Sequence, residues 1–178
     1  LTEHGADGVV ADLSDLKMVS KAVADADLVV SAVPGFMGYQ TVERVLQEGR
    51  PIVDISFFPE DAFGLDALAK EQGVPCLVDC GVAPGLSNMM FGRLEGHLDE
   101  TYSFHCLVGG LPVERSWPWE YKAPFSPRDV IALYMREARM RKGGVEVALP
   151  GLSEVELVNF PGLGTLEAFN TDGLRSLL

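Results

Sequence analysis

Apolar residues fall into four short blocks in the first half of the chain: Asp7–Asp12, Asp27–Val33, Pro51–Ser56 and Val74–Asp79. Their starts lie 20, 24 and 23 residues apart. In Leu28-Val29-Val30-Ser31-Ala32-Val33 and in Ile52-Val53 the apolar positions are consecutive rather than alternating, which predicts strands covered on both faces of a parallel sheet. Between the blocks the spacing becomes helical. Ser14 is placed to cap a helix that runs to about Ala24, with Leu16, Val19 and Val23 inward and Lys17 and Lys21 outward. Met37, Val42, Val45 and Leu46 mark a second helix, stopped by Gly49 with Pro51 beyond it. Phe63, Leu65, Leu68 and Ala69 mark a third, closed at Gly73. Strand and helix alternating through short links predict an α/β layer, doubly wound around a parallel sheet.

Beyond Gly81 the pattern changes. Leu86, Met89, Met90, Leu94 and Leu98 keep helical spacing, and the methionine pair reads as core filler. Thr101–Val108 is strand-like and runs into Gly109-Gly110-Leu111-Pro112, followed by an aromatic loop from Trp117 through Trp119 and Tyr121 to Phe125. Those aromatics suit either a pocket mouth or a contact between copies. Ser126-Pro127-Arg128-Asp129 has the make-up of a helix start: a capping hydroxyl, proline in the first turn and an acid at the third position. Arg141-Lys142-Gly143-Gly144 predicts a hairpin turn between Arg136–Met140 and Val145–Leu149, and Val155–Phe160 and Thr165–Phe169 add two more strands. Thr171–Leu178 reads as the start of a helix. The expected organisation is a dinucleotide-binding layer over 1–80 and an α+β substrate or dimerisation domain over 81–178.

Composition narrows the functional classes. With 14 Lys+Arg against 26 Asp+Glu among 178 residues, the formal charge of −12 disfavours a phosphate backbone as partner. The apolar runs are far shorter than the ~18 residues a membrane span needs, and no basic-then-apolar leader opens the chain. Three cysteines make no disulfide framework, and Cys76, Cys80, His4, His97 and His105 show no metal-ligand spacing. The expectation is a cytoplasmic protein without a metal. The chain begins at Leu1 rather than Met, so it is expected to be the interior of a longer protein, truncated at both ends.

Ligands of open parallel sheets bind outside the carboxyl ends of the strands. Those ends read Asp12, then Ser31, then Asp54 and Ser56, then Asp79 and Cys80. Any one suits a turn, but four polar ends on apolar strands point to a cleft. No Gly-x-Gly-x-x-Gly is present, and Gly5 and Gly8 have the wrong spacing. A dinucleotide fold would therefore have its first strand and phosphate loop upstream of Leu1, and the 178 residues alone would be inactive. What remains would face the adenine through Asp12 and Leu13, and the nicotinamide through Ser31, Ala32, Val33 and Pro34.

The motifs Ser31-Ala32-Val33-Pro34, Val53-Asp54-Ile55-Ser56, Asp79-Cys80-Gly81-Val82-Ala83-Pro84-Gly85-Leu86, Gly109-Gly110-Leu111-Pro112, Tyr121-Lys122-x-x-Phe125-Ser126-Pro127-Arg128 and Phe160-Pro161-Gly162 through Leu174 occur in one order along nearly the whole chain. That ordered set resembles the saccharopine dehydrogenase superfamily, most closely its lysine 6-dehydrogenase-like branch. The resemblance implies a Rossmann domain and a substrate domain, NAD or NADP as cofactor, and oxidation at an amine-bearing carbon of a small amino-acid substrate in lysine metabolism. A saccharopine or carboxynorspermidine dehydrogenase is the first alternative, and a non-catalytic dinucleotide-binding scaffold the second. The resemblance also implies a homodimer, and it places Ser31 by the cleft with Arg128 gripping a substrate carboxylate. Lys122 and Tyr121 are further substrate-binding candidates, and Asp79, Gly81 and Ala83 further cofactor-binding ones. Asp54 and Phe57 depart from the Thr or Ser and Tyr usual in the saccharopine reductase branch, and Asp79-Cys80 from its Asn-Glu.

The chemistry fits those residue types. Hydride leaves a carbon readily only when its nitrogen is unprotonated, so an ammonium with a free pKa near ~10.4 needs a base. Asp54, at a strand end, is the candidate catalytic residue. Arg128 can offer a planar fork to a carboxylate, and a cation in the first turn of a helix opposes the dipole and so invites an anion.

Overall fold

The computed structural model describes residues 5–118 and 120–178; His4 and Trp119 lie outside the described residues. The chain divides into two compact units, residues 1–78 and 79–178.

The first unit contains α1 (Leu16–Val23), β1 (Val29–Ser31), α2 (Gly35–Gln47), β2 (Ile52–Asp54), a 3-10 turn (Ala62–Leu65), α3 (Asp66–Gln72) and β3 (Cys76–Leu77). The strands pair in parallel in the order β1-β2-β3, with Val29 opposite Ile52, Ser31 opposite Asp54, and Ile52 opposite Cys76. Val19 and Val23 of α1, Val42, Val45 and Leu46 of α2, Ile52, Phe58 and Leu65 form one buried cluster. Val29 and Cys76 pack against it, so a single row of strand positions faces the helices. Asp15, not Ser14, caps α1, accepting from Lys17 N; Ser14 instead donates from N and Oγ to Asp12. Those two bonds hold the Asp12 carboxyl below the usual carboxylate range. Gly49 and Gly73, at φ +66° and +67°, end α2 and α3 in the left-handed region that glycine adopts without penalty.

Two expectations fail here. Asp7–Asp12 forms no strand: it has no ladder partner among the described residues, and Val9 and Val10 are exposed. The sheet is covered on one face only among the described residues, since Val30 is 70% and Leu77 57% exposed. Consecutive apolar residues report that both faces of a strand are apolar, which is a weaker statement than both being covered. The strand order is sequential, so the reversal that defines a doubly wound switch point does not occur within these three strands.

The second unit contains α4 (Leu86–Glu95), α5 (Pro127–Met135), the antiparallel hairpins β4 (Ala138–Lys142) with β5 (Val145–Leu149) and β6 (Glu156–Phe160) with β7 (Gly164–Ala168), and a closing 3-10 turn at Arg175–Leu177. Ser126 caps α5 and accepts from Asp129 N, as its Ser-Pro-x-Asp start predicts. Gly143 and Gly144 make the β4–β5 turn with positive φ at both positions. Thr101–Val108 is irregular rather than a strand, and Thr171–Leu178 yields only the 3-10 turn. Met89 and Met90 are exposed, so they do not fill a core. They lie with Leu86 and Leu94 on a bare stripe of α4, while Asn88, on the opposite side, is the buried residue of that helix. No helix among the described residues is long and apolar enough to cross a membrane.

Leu46 is fully buried in the first unit's cluster. Leu46→Ala is expected to cost about 2–5 kcal/mol in urea unfolding of that unit. A change below about 0.5 kcal/mol would show that the cluster does not carry the unit's stability.

Candidate functional site

Ser31 ends β1 and Asp54 ends β2, and the ladder sets them opposite each other. Both point to the helix-covered side, Ser31 at 5% exposure and Asp54 at 0%. Asp54 Oδ2 accepts from Ser56 N at 3.0 Å and from Ser56 Oγ at 2.6 Å, a tight turn closed by the carboxylate itself. Asp54 Oδ1 and Ser31 Oγ are buried without a partner among the described residues. Paired buried polar atoms are the rule, so these two, on register neighbours, each retain the capacity to bond a polar ligand group or water.

α2 makes that turn possible. Gly38 lies over Ser56, and a Cβ there would overlap Ser56 Oγ and sit 2.8 Å from the Phe58 ring. The next residue after Ser56, Phe57, holds φ +51°, a conformation that costs an L-residue about 1–3 kcal/mol and is characteristic of sites. Tyr39 braces Phe58 edge-on, with centroids 5.6 Å apart.

On the other side of α2, a cavity of about 180 Å³ is lined by Leu13, Ser14, Leu16, Phe36, Met37, Gln40 and Thr41. Its walls are mostly apolar, and the Thr41 hydroxyl is itself buried with no partner among the described residues. The cavity is smaller than the ~300–1,000 Å³ of whole-ligand pockets, so it suits a single ring system. Asp12 sits next to it in sequence with its carboxylate engaged by Ser14. Ala32, Val33 and Pro34 form the link from β1 into α2, with Pro34 at the helix cap.

In the second unit, a cavity of about 310 Å³ is lined by Gly109, Gly110, Leu111, Lys122, Ala123 and Pro124. Lys122 N donates to Gly110 O at 2.7 Å, and the Tyr121 ring packs so closely on Gly110 that a Cβ would sit 2.8 Å from it. The structure therefore joins two segments that the sequence holds eleven residues apart. Arg128 lies exposed in the first turn of α5, outside the lining of this cavity.

Asp79, expected as a cofactor-binding residue, is held in an ion pair. Both its carboxylate oxygens are taken by Arg175, which donates from Nε at 2.7 Å and from Nη2 at 2.5 Å. Asp172, also buried, holds Arg139 in the same forked way, through Nε at 3.0 Å and Nη2 at 2.7 Å. The Asp172 bond, reinforced by the charges of Asp172 and Asp79, raises the Arg139 pKa against its partial burial. Gly81 bridges to Gly85 and Ala83 lies on the intervening loop.

Sequence reasoning brought Ser31 and Asp54 together and missed Gly38, Thr41, Arg139, Asp172 and Arg175. A glycine in the second turn of a helix was the legible signal for Gly38, since Gly there costs helix stability. Thr41 and the three ion-pair residues carry no such local mark.

Residues 81–176, more than half of the chain, match the family described as the saccharopine dehydrogenase C-terminal domain. The chain belongs to the saccharopine dehydrogenase family. It is 24% identical over 151 residues to alpha-aminoadipic semialdehyde synthase of Arabidopsis thaliana, covering 82% of this chain and 14% of that protein. It is 24% identical over 157 residues to saccharopine dehydrogenase (NADP+, L-glutamate-forming) of Schizosaccharomyces pombe, covering 83% of this chain and 34% of that protein. Its fold is similar to that of apo saccharopine dehydrogenase (L-Glu forming) from Saccharomyces cerevisiae, with a TM-score of 0.65 at 17% identity over 95% of this chain and 40% of that one. The chain thus spans about a third of the fission-yeast saccharopine dehydrogenase and a smaller part of the plant protein.

A mid-helix Gly→Ala change ordinarily stabilises by about 0.5–1 kcal/mol. Gly38→Ala is expected to reverse that sign, destabilising by about 1–3 kcal/mol in urea unfolding, because Ser56 and Phe58 occupy the space. A stabilised variant would mean that the Asp54–Ser56 turn does not press on α2.

Proposed function

We propose that this chain is part of a pyridine-nucleotide oxidoreductase acting at a C–N bond of an amino acid, with lysine as the substrate favoured by its charge arrangement. The single observation that carries the reading is the pair of unpartnered buried polar atoms, Ser31 Oγ and Asp54 Oδ1, on neighbouring strand ends in a saccharopine dehydrogenase family member. NAD or NADP would be held by Ser31, Ala32, Val33 and Pro34 toward the nicotinamide end, with its adenine in the cavity that Leu13, Phe36 and Thr41 line beside Asp12. Bound there, the nucleotide supplies a hydride acceptor.

The chain's own residues then have two tasks. Asp54 Oδ1 takes a proton from the substrate ammonium, directly or through a water, so that the free amine can give up a hydride from its carbon to the bound acceptor and become an imine, which water opens to the semialdehyde with release of ammonia. Ser56 keeps the carboxylate in one orientation by occupying Oδ2. Arg128 pairs with the substrate carboxylate, Lys122 lines the pocket beside Gly110, and the Tyr121 ring packs on Gly110. Gly81 and Ala83 shape the loop on the cofactor side.

Lysine is favoured over saccharopine because saccharopine carries additional carboxylates. Two guanidiniums of the second unit, Arg139 and Arg175, are already closed onto Asp172 and Asp79. The relatives' names favour the second reading, saccharopine as substrate. A homodimer working in the cytoplasm is the setting proposed for either.

The full-length protein is expected to reduce a nicotinamide cofactor when given lysine, and more slowly with saccharopine. Turnover with neither, under NAD+ or NADP+, would overturn the reading. Asp54→Asn is expected to lower kcat about 100-fold or more with unfolding stability little changed. Complete burial of Asp54 favours one competing role, that of a brace for the 54–58 turn; a variant that loses stability while the folded fraction keeps its kcat would establish that role instead.

A further inference from the structure

The last residues of the chain grip the loop that opens the second unit. Arg175 forks onto Asp79 with side chains 8% and 6% exposed, so the pair is hidden from water. Gly173 packs against Ala83, close enough that a Cβ would touch its carbonyl oxygen at 3.6 Å. Asn88 Nδ2 donates to Gly173 O at 3.3 Å and to Ser176 Oγ at 2.6 Å. Arg175, Gly173 and Ser176 thus hold, in turn, the loop at its start, the loop at its middle and the helix that follows it.

Between those points the loop closes a tight turn, with bridges from Gly85 to Gly81 and Val82. Leu86 N donates to Gly81 O at 2.8 Å and Ser87 N to Val82 O at 3.0 Å. Asp79 stands at φ +56°, a backbone state that persists only where its surroundings impose it. A buried carboxylate without its cation is unstable there, because removing one member of a buried pair leaves an uncompensated charge. The second cation within electrostatic reach, Arg139, is already engaged by Asp172.

We propose that Arg175 is a positioning residue: by closing both oxygens of Asp79 it fixes the loop over residues 79–85, which the proposed function sets on the cofactor side. The link to the cofactor rests on the pyridine-nucleotide reading; the clasp itself does not.

The test uses the full-length protein as wild type, Arg175→Ala, Arg175→Lys and the double variant Asp79→Asn with Arg175→Ala. Amide exchange at Leu86 and Ser87 is expected to be about tenfold or more faster in Arg175→Ala, while amides of Val42 and Val45 in α2 keep their rates. Arg175→Lys, with the charge but not the fork, is expected to lie between, and the double variant to slow exchange relative to Arg175→Ala because the stranded charge is gone. In kinetics, Arg175→Ala is expected to raise KM for the nicotinamide nucleotide about tenfold while kcat moves by less than about threefold. Wild-type exchange at Leu86 and Ser87 in Arg175→Ala, or acceleration as large in α2 as in the loop for both single variants, would overturn the clasp. An unchanged KM with a fallen kcat would overturn its link to the ligand. If the wild type turns over neither lysine nor saccharopine, the functional reading fails and the exchange measurement alone decides the clasp.

Discussion

A carboxylate buried at a strand end is costly unless something answers it, and in this chain the answer is only half made. Asp54 Oδ2 is closed by the backbone and hydroxyl of Ser56, while Oδ1 and the Oγ of Ser31, its register neighbour on the parallel ladder, have no partner among the described residues. That arrangement dictates the residues around it. Ser56 fits only because Gly38 offers no side chain, Phe57 takes a strained φ as the chain leaves the turn, and Phe58 seals the core against Tyr39. A purely structural strand end would be cheaper to build from apolar residues, as removing polar groups from a core is often neutral.

The fold was legible where local chemistry decides it. The three paired strands, the glycine stops at Gly49 and Gly73, the Ser126-Pro127 helix start and the Gly143-Gly144 hairpin all follow from period and turn residues. The failures share one cause: they concern partners rather than propensity. Asp7–Asp12 and Thr101–Val108 have strand-like composition but no neighbour to pair with among the described residues. Likewise, the apolar stripe of Met89 and Met90 correctly predicts a helix and says nothing about which side faces the protein. The site divides in the same manner. Strand-end position was enough to select Ser31 and Asp54, whereas Thr41 and Arg175 are recruited by tertiary approach over many residues and have no local signature.

The two units are held by different forces. The first has an apolar cluster in which Val42, Val45 and Leu46 are fully buried. The second buries Asp79, Asn88 and Asp172 alongside Val130 and Ala138, and its two forked ion pairs link residues 33 and 96 positions apart. Such pairs contribute less to stability than to geometry, because the desolvation of both charges offsets most of their attraction. They specify where the irregular segments of this unit lie.

The most direct test of Asp54 and Ser31 as a ligand edge is a crystal structure of the full-length protein with a nicotinamide nucleotide bound. A cofactor or substrate atom, or a water bound to one, within hydrogen-bond distance of Ser31 Oγ or Asp54 Oδ1 is the predicted result. A bound nucleotide that leaves both atoms sealed behind α2, with no polar group or water reaching them, would contradict it.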